Sequence, residues 1–482
     1  MTATSITEMG VTALSAAIRA RQVSCVEVMG ATLDQIDRYN PAVNAIVLRE
    51  ERAGLLAQAA EKDAMLARGV VMGPLHGIPQ AVKDLDNVAG MKTTKGSPLY
   101  KDFVAPADSI MVERMRAAGA IFVGKTNTPE FGLGSHTTNP VHGPTRNPYD
   151  LSRTAGGSSG GAAVALATRM LSVADGSDWG GSLRNPAGWN NVFGFRPCIG
   201  RIPKADGELF LPSMGVSGPM ARDVPDLGLL LSVQAGFDAR SPMSLPQDPA
   251  QFAQPLGRDF KGTRVAFLGD LNGHLPYEAG VLETCRDAMK AFTAIGCTVE
   301  AAMPDYPMDK VWQAFLVLRA WQSAGGGRPH YGKPAERALL NAQMIYEVET
   351  AAKLTAQDIN DASAIRSDWY RAVHAFFQRY DYFVLPTAQM WPFDVTTVWP
   401  TEIAGRKMTT YHEWMQVVLP VTLSGCPSLA APAGFSADGL PIGIQIVGPM
   451  HGEFACLQLA HAYDQETRWV ERRRPGVLSA AG

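Results

Sequence analysis

Two glycine-rich loops that carry serine lie a short distance apart, and one lysine precedes both of them. The first loop, at residues 156–161, reads Gly-Gly-Ser-Ser-Gly-Gly, and the second, at residues 178–184, contains Gly-Gly-Ser. Lys83 lies upstream, directly after the apolar run at residues 78–82. Glycine runs cost backbone entropy on folding, so a fold retains them where the chain turns sharply or approaches something closely. A hydroxyl group in each loop with lysine as the base indicates acyl transfer without histidine.

Lys83 can act as that base only in its neutral form. A serine hydroxyl is a weak nucleophile until a base removes its proton, and lysine does this when burial or a nearby cation lowers its pKa. Because Lys83 follows an apolar run, we expect it at the end of a strand, facing the interior. The competing interpretation is that Lys83 forms a surface ion pair with the adjacent Asp84. For a lysine beside an aspartate, taken alone, a surface ion pair is the commoner arrangement.

The second loop has the composition of an oxyanion hole. Successive glycine N–H groups before Ser182 can surround the carbonyl oxygen of a substrate. The alternative is a simple bend before Pro186. The first loop, which carries Ser158, leads into an apolar helical stretch, so its free N–H groups could position a hydroxyl or bind an anion.

Two other motif matches lack the context that their chemistry requires. Residues 119–126 fit the phosphate-binding pattern GxxxxGK[ST], but the middle of the match, Ala-Ile-Phe-Val, has the character of a buried strand. Residues 156–160 fit the GxSxG pattern of a nucleophile elbow, which requires a buried strand before the serine and a histidine partner. The residues before this loop do not have the pattern of a buried strand. His451 and His461 have no recognisable partner context.

The overall composition excludes several classes of protein. The 482 residues carry a net charge of -3, which gives no reason to expect nucleic acid or a membrane surface as a partner. The nine histidines show no metal-ligand spacing and the six cysteines form no CxxC pair, so we expect neither a metal nor a cofactor. No window supplies a membrane span, and the N-terminus lacks a secretory signal pattern, which predicts a cytoplasmic protein.

Apolar segments alternating with helical ones predict an α/β fold. Residues 10–39 have the pattern of one amphipathic helix ended by Pro41, and 50–68 that of another. We expect one domain over residues 1–482, with one sheet shared by both halves. Its parts are a helical region at 1–69, a core at 70–235, a surface connection at 237–258, and a second half at 259–482 with a helical and aromatic-rich lid.

Lys83, Ser158 and Ser182, together with their flanking segments, resemble the amidase signature family. The segments at 124–132, 147–150 and 193–197, and the C-terminal segments at 425–434 and 439–443, are also similar to the family. The resemblance therefore covers nearly the whole chain. It implies an α/β/α sandwich, with a central mixed twisted sheet covered by helices, and hydrolysis of an amide C–N bond by a Ser–Ser–Lys triad.

The resemblance implies a role for each matching residue. Ser182 matches the nucleophile, Lys83 the base, and Ser158 the bridging serine, which the family holds after a cis Gly157–Ser158 peptide bond. The implied oxyanion hole consists of backbone N–H groups, those of Trp179, Gly180, Gly181 and Ser182. The implied supporting residues are Ser159, as a hydrogen-bond donor, and Asp178 and Arg184, as a pair that braces the loop.

The expected substrate is a small apolar or aromatic amide. Many family members have a small or aliphatic residue where this chain has Trp179, whose indole could stack on an aromatic substrate. With Trp179, the expected pocket residues are Phe131, Trp321 and Trp391. The family also acts on lactams, carbamates and esters, and these alternatives stay open. A homodimer is the assembly that the resemblance suggests.

Two rival functions use the same scaffold. One component of a tRNA-dependent amidotransferase would release ammonia from glutamine, and it would need a pocket with an arginine–aspartate clamp and a partner protein. The sequence shows no obvious acidic–basic pair of this kind, and the aromatic-rich segment 389–414 does not favour it. A non-catalytic binding protein is the other rival, which the intact Lys83, Ser158 and Ser182 disfavour.

Overall fold

The computed structural model describes residues 2–211 and 213–479, and this part of the chain contains both strands and helices. The strands are β1 Ile46–Val47, β2 Pro79–Lys83, β3 Ile121–Thr126, β4 Arg146–Asn147, β5 Asp150–Thr154, β6 Val173–Asp178, β7 Phe193–Arg196, β8 Val216–Ala221, β9 Arg264–Phe267, β10 Thr298–Ala301, β11 Tyr382–Pro386, β12 Glu402–Ile403, β13 Arg406–Lys407, β14 Ser428–Phe435 and β15 Pro441–Val447. The helices are α1 Ala3–Glu8, α2 Val11–Arg19, α3 Cys25–Val43, α4 Arg52–Ala67, α5 Ile110–Ala117, α6 Gly160–Ala167, α7 Arg184–Trp189, α8 Val224–Gln234, α9 Val281–Ala294, α10 Met308–Tyr331, α11 Pro334–Arg337, α12 Ala342–Ala351, α13 Ala356–Phe376, α14 Leu419–Ser424, α15 Glu453–Thr467, α16 Trp469–Arg472 and α17 Gly476–Ser479.

An eight-stranded mixed sheet contains strands from both halves of the chain. Its order is β10-β9-β11-β15-β14-β7-β8-β6. Strands β10, β9 and β11 are parallel, and the remaining neighbours pair antiparallel. Strands β6, β7 and β8 precede the segment 237–258, and the other five follow it. This sheet confirms the expected mixed α/β architecture.

Helices cover the large sheet on both faces. Along β11, Tyr382 and Val384 belong to one hydrophobic cluster, while Phe383 and Leu385 belong to another. Successive side chains of a strand point to opposite faces of a sheet. The first cluster includes buried residues of α8, α9 and α15, and the second those of α10, α13 and α14. The fold is therefore an α/β/α sandwich.

A separate three-stranded sheet, in the order β1-β3-β2, carries Lys83. Every residue of β2 and β3 is buried, as is typical of parallel strands covered on both sides. Side chains join β2 to β6, the edge strand of the large sheet. Gln80 Nε2 donates to the carbonyl of Val173 at 3.3 Å, and the Lys83 N–H donates to Asp175 Oδ2 at 3.1 Å. Lys83 thus lies beside the strand that ends at Asp178.

The N-terminal helical region differs from its prediction. The expected single helix over 10–39 is two helices, α2 and α3, because Arg21 takes a φ of 56° and Ser24 then caps a new helix. The Ser24 side chain accepts from the N–H of Glu27, whose carboxylate accepts from the Ser24 N–H in return. Pro41 does not end α3, which continues to Val43. Among the described residues, no helix is long and apolar enough to cross a membrane.

Candidate active site

Lys83 is fully buried at the end of β2 and points toward serine hydroxyls. Its Nζ lies 2.7 Å from Ser158 Oγ, 2.9 Å from Ser159 Oγ and 3.0 Å from Ser177 Oγ. Burial removes the water that stabilises the ammonium and lowers the pKa of Lys83 to about 7, although nearby carboxylates act in the opposite direction. A large share of this lysine is therefore neutral near pH 7.

The alternative surface pair of Lys83 with Asp84 does not form. Asp84 is buried, and its carboxylate accepts from the Thr94 N–H at 2.9 Å and from the Thr94 hydroxyl. Its Oδ2 also lies 3.8 Å from His142 Nε2. Successive side chains of an extended segment point to opposite sides, so Lys83 and its neighbour face different surroundings.

The first glycine loop leads from β5 into α6 and holds Ser158 beside Lys83. The peptide bond between Gly157 and Ser158 is cis. At the start of α6, a Cβ on Gly161 would lie 2.3 Å from the Asn127 nitrogen, so only glycine allows this helix to approach β3 so closely. The preceding strand β5 is a largely exposed hairpin strand, so the loop lacks the strand–turn–helix context of a nucleophile elbow.

The Asp178 carboxylate organises the second loop. It accepts from Arg184 Nε and Nη2, both at 2.9 Å, and from Arg196 Nη1 at 3.0 Å. It also accepts from the backbone N–H groups of Gly181 at 2.9 Å and Leu183 at 3.1 Å. Burial opposes ionisation, but the two guanidinium groups hold the pKa of Asp178 well below its usual range. Asp178 and Arg184 thus form the expected pair, and Arg196 joins it.

One of the four expected oxyanion donors is already in use. The Gly181 N–H points to Asp178, and Gly181 takes a φ of 92°, which favours glycine. A Cβ at this position would lie 2.6 Å from Val418 Cγ2. This leaves the N–H groups of Trp179, Gly180 and Ser182 as the predicted donors to a substrate oxygen.

Ser158 and Ser182 line one cavity of about 320 Å³. A hydrogen bond of 3.1 Å from the Ser159 N–H to the Ser182 carbonyl joins the two glycine loops. Within residues 2–211 and 213–479, no hydrogen bond links the Ser158 and Ser182 hydroxyls, and no histidine lines this cavity. The arrangement is a buried lysine hydrogen-bonded to Ser158, Ser159 and Ser177, with Ser182 on the wall of the cavity that Ser158 also lines.

The aromatic lining of the cavity comes from Phe131 and Trp179. Trp321 and Trp391, the other two expected pocket residues, lie elsewhere. Trp321 is half-buried and packs against the hydrophobic cluster around α10 and α13. Trp391 is buried and donates from Nε1 to the Ala279 carbonyl at 3.1 Å. Trp321 and Trp391 therefore contribute to packing in these positions. Of the four expected pocket residues, only Phe131 and Trp179 line this cavity.

The cavity also contains cationic residues that the sequence did not indicate. Lys95, Lys204 and Arg319 contribute to its wall. Arg319 lies on α10, and its guanidinium stands 4.5 Å from the centre of the Trp179 ring. No motif surrounds these three residues, so only the folded chain brings them to the serines.

Known proteins are similar to this chain over most or all of its length. The Amidase family model matches residues 27–457. An acylamidase of Rhodococcus erythropolis is 32% identical over the full length of both chains. A glutamyl-tRNA(Gln) amidotransferase subunit of Ralstonia nicotianae is 34% identical over 95% of this chain and 98% of its own. The crystal structure of a bacterial aryl acylamidase of the amidase signature family superposes with a TM-score of 0.88, at 27% identity over 96% of each chain.

The chain belongs to the amidase family, also called the amidase signature family. It is an enzyme that hydrolyses an amide C–N bond. A Ser–Ser–Lys triad characterises this family, and Ser182, Ser158 and Lys83 are the residues predicted to form it in this chain.

Proposed function

We propose that Ser182 attacks the amide carbonyl, with Ser158 as the proton relay and Lys83 as the base. The observation that carries this proposal is the 2.7 Å contact between Lys83 Nζ and Ser158 Oγ in a fully buried setting. Burial lowers the pKa of Lys83 to about 7, so the amine can accept a proton at physiological pH.

In the first half of the reaction, neutral Lys83 takes the proton of Ser158 while Ser158 takes the proton of Ser182. The Ser182 Oγ bonds to the carbonyl carbon, and the carbonyl oxygen becomes an oxyanion. The N–H groups of Trp179, Gly180 and Ser182 stabilise its charge. The C–N bond then breaks, and the relay returns one proton to the leaving amine. An acyl group remains on Ser182.

In the second half, water adds to the acyl carbon and gives its proton to the same relay. The bond from the acyl carbon to Ser182 Oγ breaks, the relay returns a proton to that oxygen, and a carboxylic acid leaves. The relay needs a hydrogen bond between the Ser158 and Ser182 hydroxyls. Catalytic hydrogen bonds are often long in a free enzyme and tighten when substrate binds.

We propose that the substrate is a small amide with an aromatic or apolar group. The aromatic wall formed by Phe131 and Trp179 supports this class, since π-faces pack well on flat apolar groups. The similarity to an acylamidase and to an aryl acylamidase supports it as well.

A hydrolysis screen of anilides, aliphatic amides, lactams, carbamates and esters tests the proposal, with Ser182→Ala as the control. We expect anilides to be turned over by the unmodified enzyme and activity to be abolished in Ser182→Ala. A fluorophosphonate should label Ser182 in the unmodified protein only. An unchanged rate in the purified Ser182→Ala variant would rule out this nucleophile.

A glutaminase that serves a partner protein is the second candidate function. The 34% identity to one component of a glutamyl-tRNA(Gln) amidotransferase favours it. The cavity wall supplies an arginine, Arg319, of the kind that an arginine–aspartate clamp needs, and Arg319 Nε donates to the buried Glu347 Oε1 at 3.3 Å. Ammonia release from glutamine, together with co-purification of a second protein chain, would support this function over the first.

We also propose a cytoplasmic location and a homodimer. The six cysteines are all buried and unpaired, which fits a reducing compartment. Family resemblance supports the dimer. Cell fractionation tests the location, and light scattering of the purified protein tests the assembly.

A further inference from the structure

Arg319 is a buried cation with hydrogen-bonding capacity left for a ligand. Its residue surface is only 6% exposed, yet it contributes to the wall of the cavity that holds Ser158 and Ser182. Its Nε donates to Glu347 Oε1 at 3.3 Å, and its side chain also interacts with Tyr411. A guanidinium has five N–H donors, so these partners use only part of its capacity.

The surroundings of Arg319 fix its orientation. One face stacks on Trp179, with the guanidinium carbon 4.5 Å from the ring centre. Glu347, which is fully buried, anchors the Nε side, and His412 Nε2 contacts the same carboxylate at 2.8 Å. One face and the Nε edge are thus occupied, and the small exposed part of Arg319 lies in the cavity wall. The other edge of the guanidinium can form in-plane hydrogen bonds with a carboxylate.

The charge of the cavity wall points to the same kind of ligand. Its ionisable residues are Lys95, Lys204, Arg319 and Asp178. Asp178 already holds two guanidinium groups, those of Arg184 and Arg196. The wall therefore presents cations without a free carboxylate to balance them, which favours an anionic group on the substrate.

We propose that Arg319 binds a carboxylate carried by the amide substrate, beside an aromatic or apolar group that packs on Trp179. This inference rests on the proposed amide hydrolysis and specifies its substrate class as an amide acid. The covalent steps are those described above. Arg319 contacts the unreacting part of the substrate and orients it toward Ser182.

The test compares matched substrates with and without the charge. One pair, 4-acetamidobenzoate and acetanilide, carries the carboxylate on the amine side, and the other, succinanilate and butyranilide, carries it on the acyl side. In at least one pair we expect kcat/KM for the acid to exceed that for the neutral amide by about 10- to 100-fold, as for a charge-assisted hydrogen bond. Arg319→Met should lower kcat/KM for the acid by about 10- to 100-fold more than it lowers kcat/KM for the matched neutral amide, so that the preference is lost.

The matched control is Arg328→Met, an exposed arginine on the same helix, which should preserve the preference. Arg319→Met leaves Glu347 buried without its cation and could therefore unfold. In that case the double variant Arg319→Met/Glu347→Gln is used instead, because it removes both charges. On the unmodified enzyme, benzoate should inhibit acetanilide hydrolysis at lower concentration than benzyl alcohol, and added salt should reduce the difference.

The outcomes separate the inference from the proposed function. Equal rates within both pairs, with acetanilide still hydrolysed by a Ser182-dependent reaction, would overturn the role of Arg319 alone. An equal loss on acids and neutral amides in Arg319→Met would also overturn it, since Arg319 would then only hold Trp179. If none of the four amides is hydrolysed, the proposed function itself fails.

Discussion

The rate of amide hydrolysis is expected to rise with pH through a midpoint of about 7, because Lys83 must be neutral to accept the proton of Ser158. Burial lowers its pKa from the ordinary 10.5 to about 7. That difference of about 3.5 units corresponds to about 5 kcal/mol between the two protonation states. At pH 7 about half of the enzyme then holds the neutral amine, against about one molecule in 3,000 for an unshifted lysine.

The assay is kcat/KM for an anilide between pH 5 and pH 9. Below the midpoint the rate should fall about tenfold per pH unit, so pH 5 should lie about 100-fold below the plateau. A flat profile, measured where chemistry limits the rate, would refute a lysine base.

Asp175 provides the control for assigning the midpoint. It is fully buried, and its Oδ2 accepts from the Lys83 N–H at 3.1 Å. Burial raises the pKa of Asp175 to about 7 as well, so its titration overlaps with that of the lysine. The variant Asp175→Asn keeps an acceptor for this hydrogen bond and removes the negative charge that raises the Lys83 pKa. In Asp175→Asn the midpoint of the pH dependence of kcat/KM should move to lower pH. If kcat/KM no longer depends on pH in this variant, the titrating group is Asp175 and not Lys83.

Stability gives an independent check on the same shift. The pKa of Lys83 is lower in the folded state than in the unfolded chain, so the unfolded state binds more protons between pH 7 and 10.5. The free energy of unfolding therefore rises with pH across that window, and the cost of burying Lys83 is largest below pH 7. Lys83→Met should be inactive and should gain more stability at pH 6 than at pH 10, as measured by urea unfolding. An equal change at both pH values would contradict the lowered pKa.

Two further substitutions test how the second loop is held. Arg184→Met removes one of the two guanidinium groups of Asp178 and the hydrogen bond to Gln445 Oε1 at 2.6 Å, so we expect a loss of about 3–5 kcal/mol in urea unfolding. A decrease of less than about 1 kcal/mol in the free energy of unfolding would show that Arg196 alone compensates the charge of Asp178. Gly181→Ala adds a Cβ 2.6 Å from Val418 Cγ2 at a φ of 92° and should lower kcat more than it changes KM. Unchanged kcat would show that the loop absorbs the substitution without moving the oxyanion donors.

The local parts of the site could be predicted because their signals are contiguous. Glycine and serine in one short loop specify a tight turn that exposes a hydroxyl, and an apolar run before Lys83 specifies a buried strand end. The alternating strands and helices likewise indicated the layered fold. What the sequence could not decide was whether Lys83 faced Asp84 or the serines, since that depends on the side from which β6 approaches.

The substrate side of the site could not be predicted because it is assembled from distant segments. Arg319 meets Trp179 only when α10 packs on the face of the sheet next to the second loop. Trp179 and Trp391 are both tryptophans, and the sequence does not distinguish their roles. In the fold Trp179 lines the cavity, whereas Trp391 donates to the Ala279 carbonyl.

The break between α2 and α3 depends on the positive φ of Arg21, a conformation that an arginine rarely adopts.

The loop at 178–184 joins reactivity and selectivity in one short segment. The Gly181 N–H donates to Asp178 and helps to hold the loop. The remaining predicted oxyanion donors are the backbone N–H groups of Trp179, Gly180 and Ser182. The indole of Trp179 forms the wall that Arg319 stacks against. A substitution at Trp179 should therefore alter the shape of the pocket and the position of a predicted oxyanion donor together. Arg319 belongs to another element, α10, so a change there should alter the proposed preference for a charged substrate without moving the loop that carries Ser182.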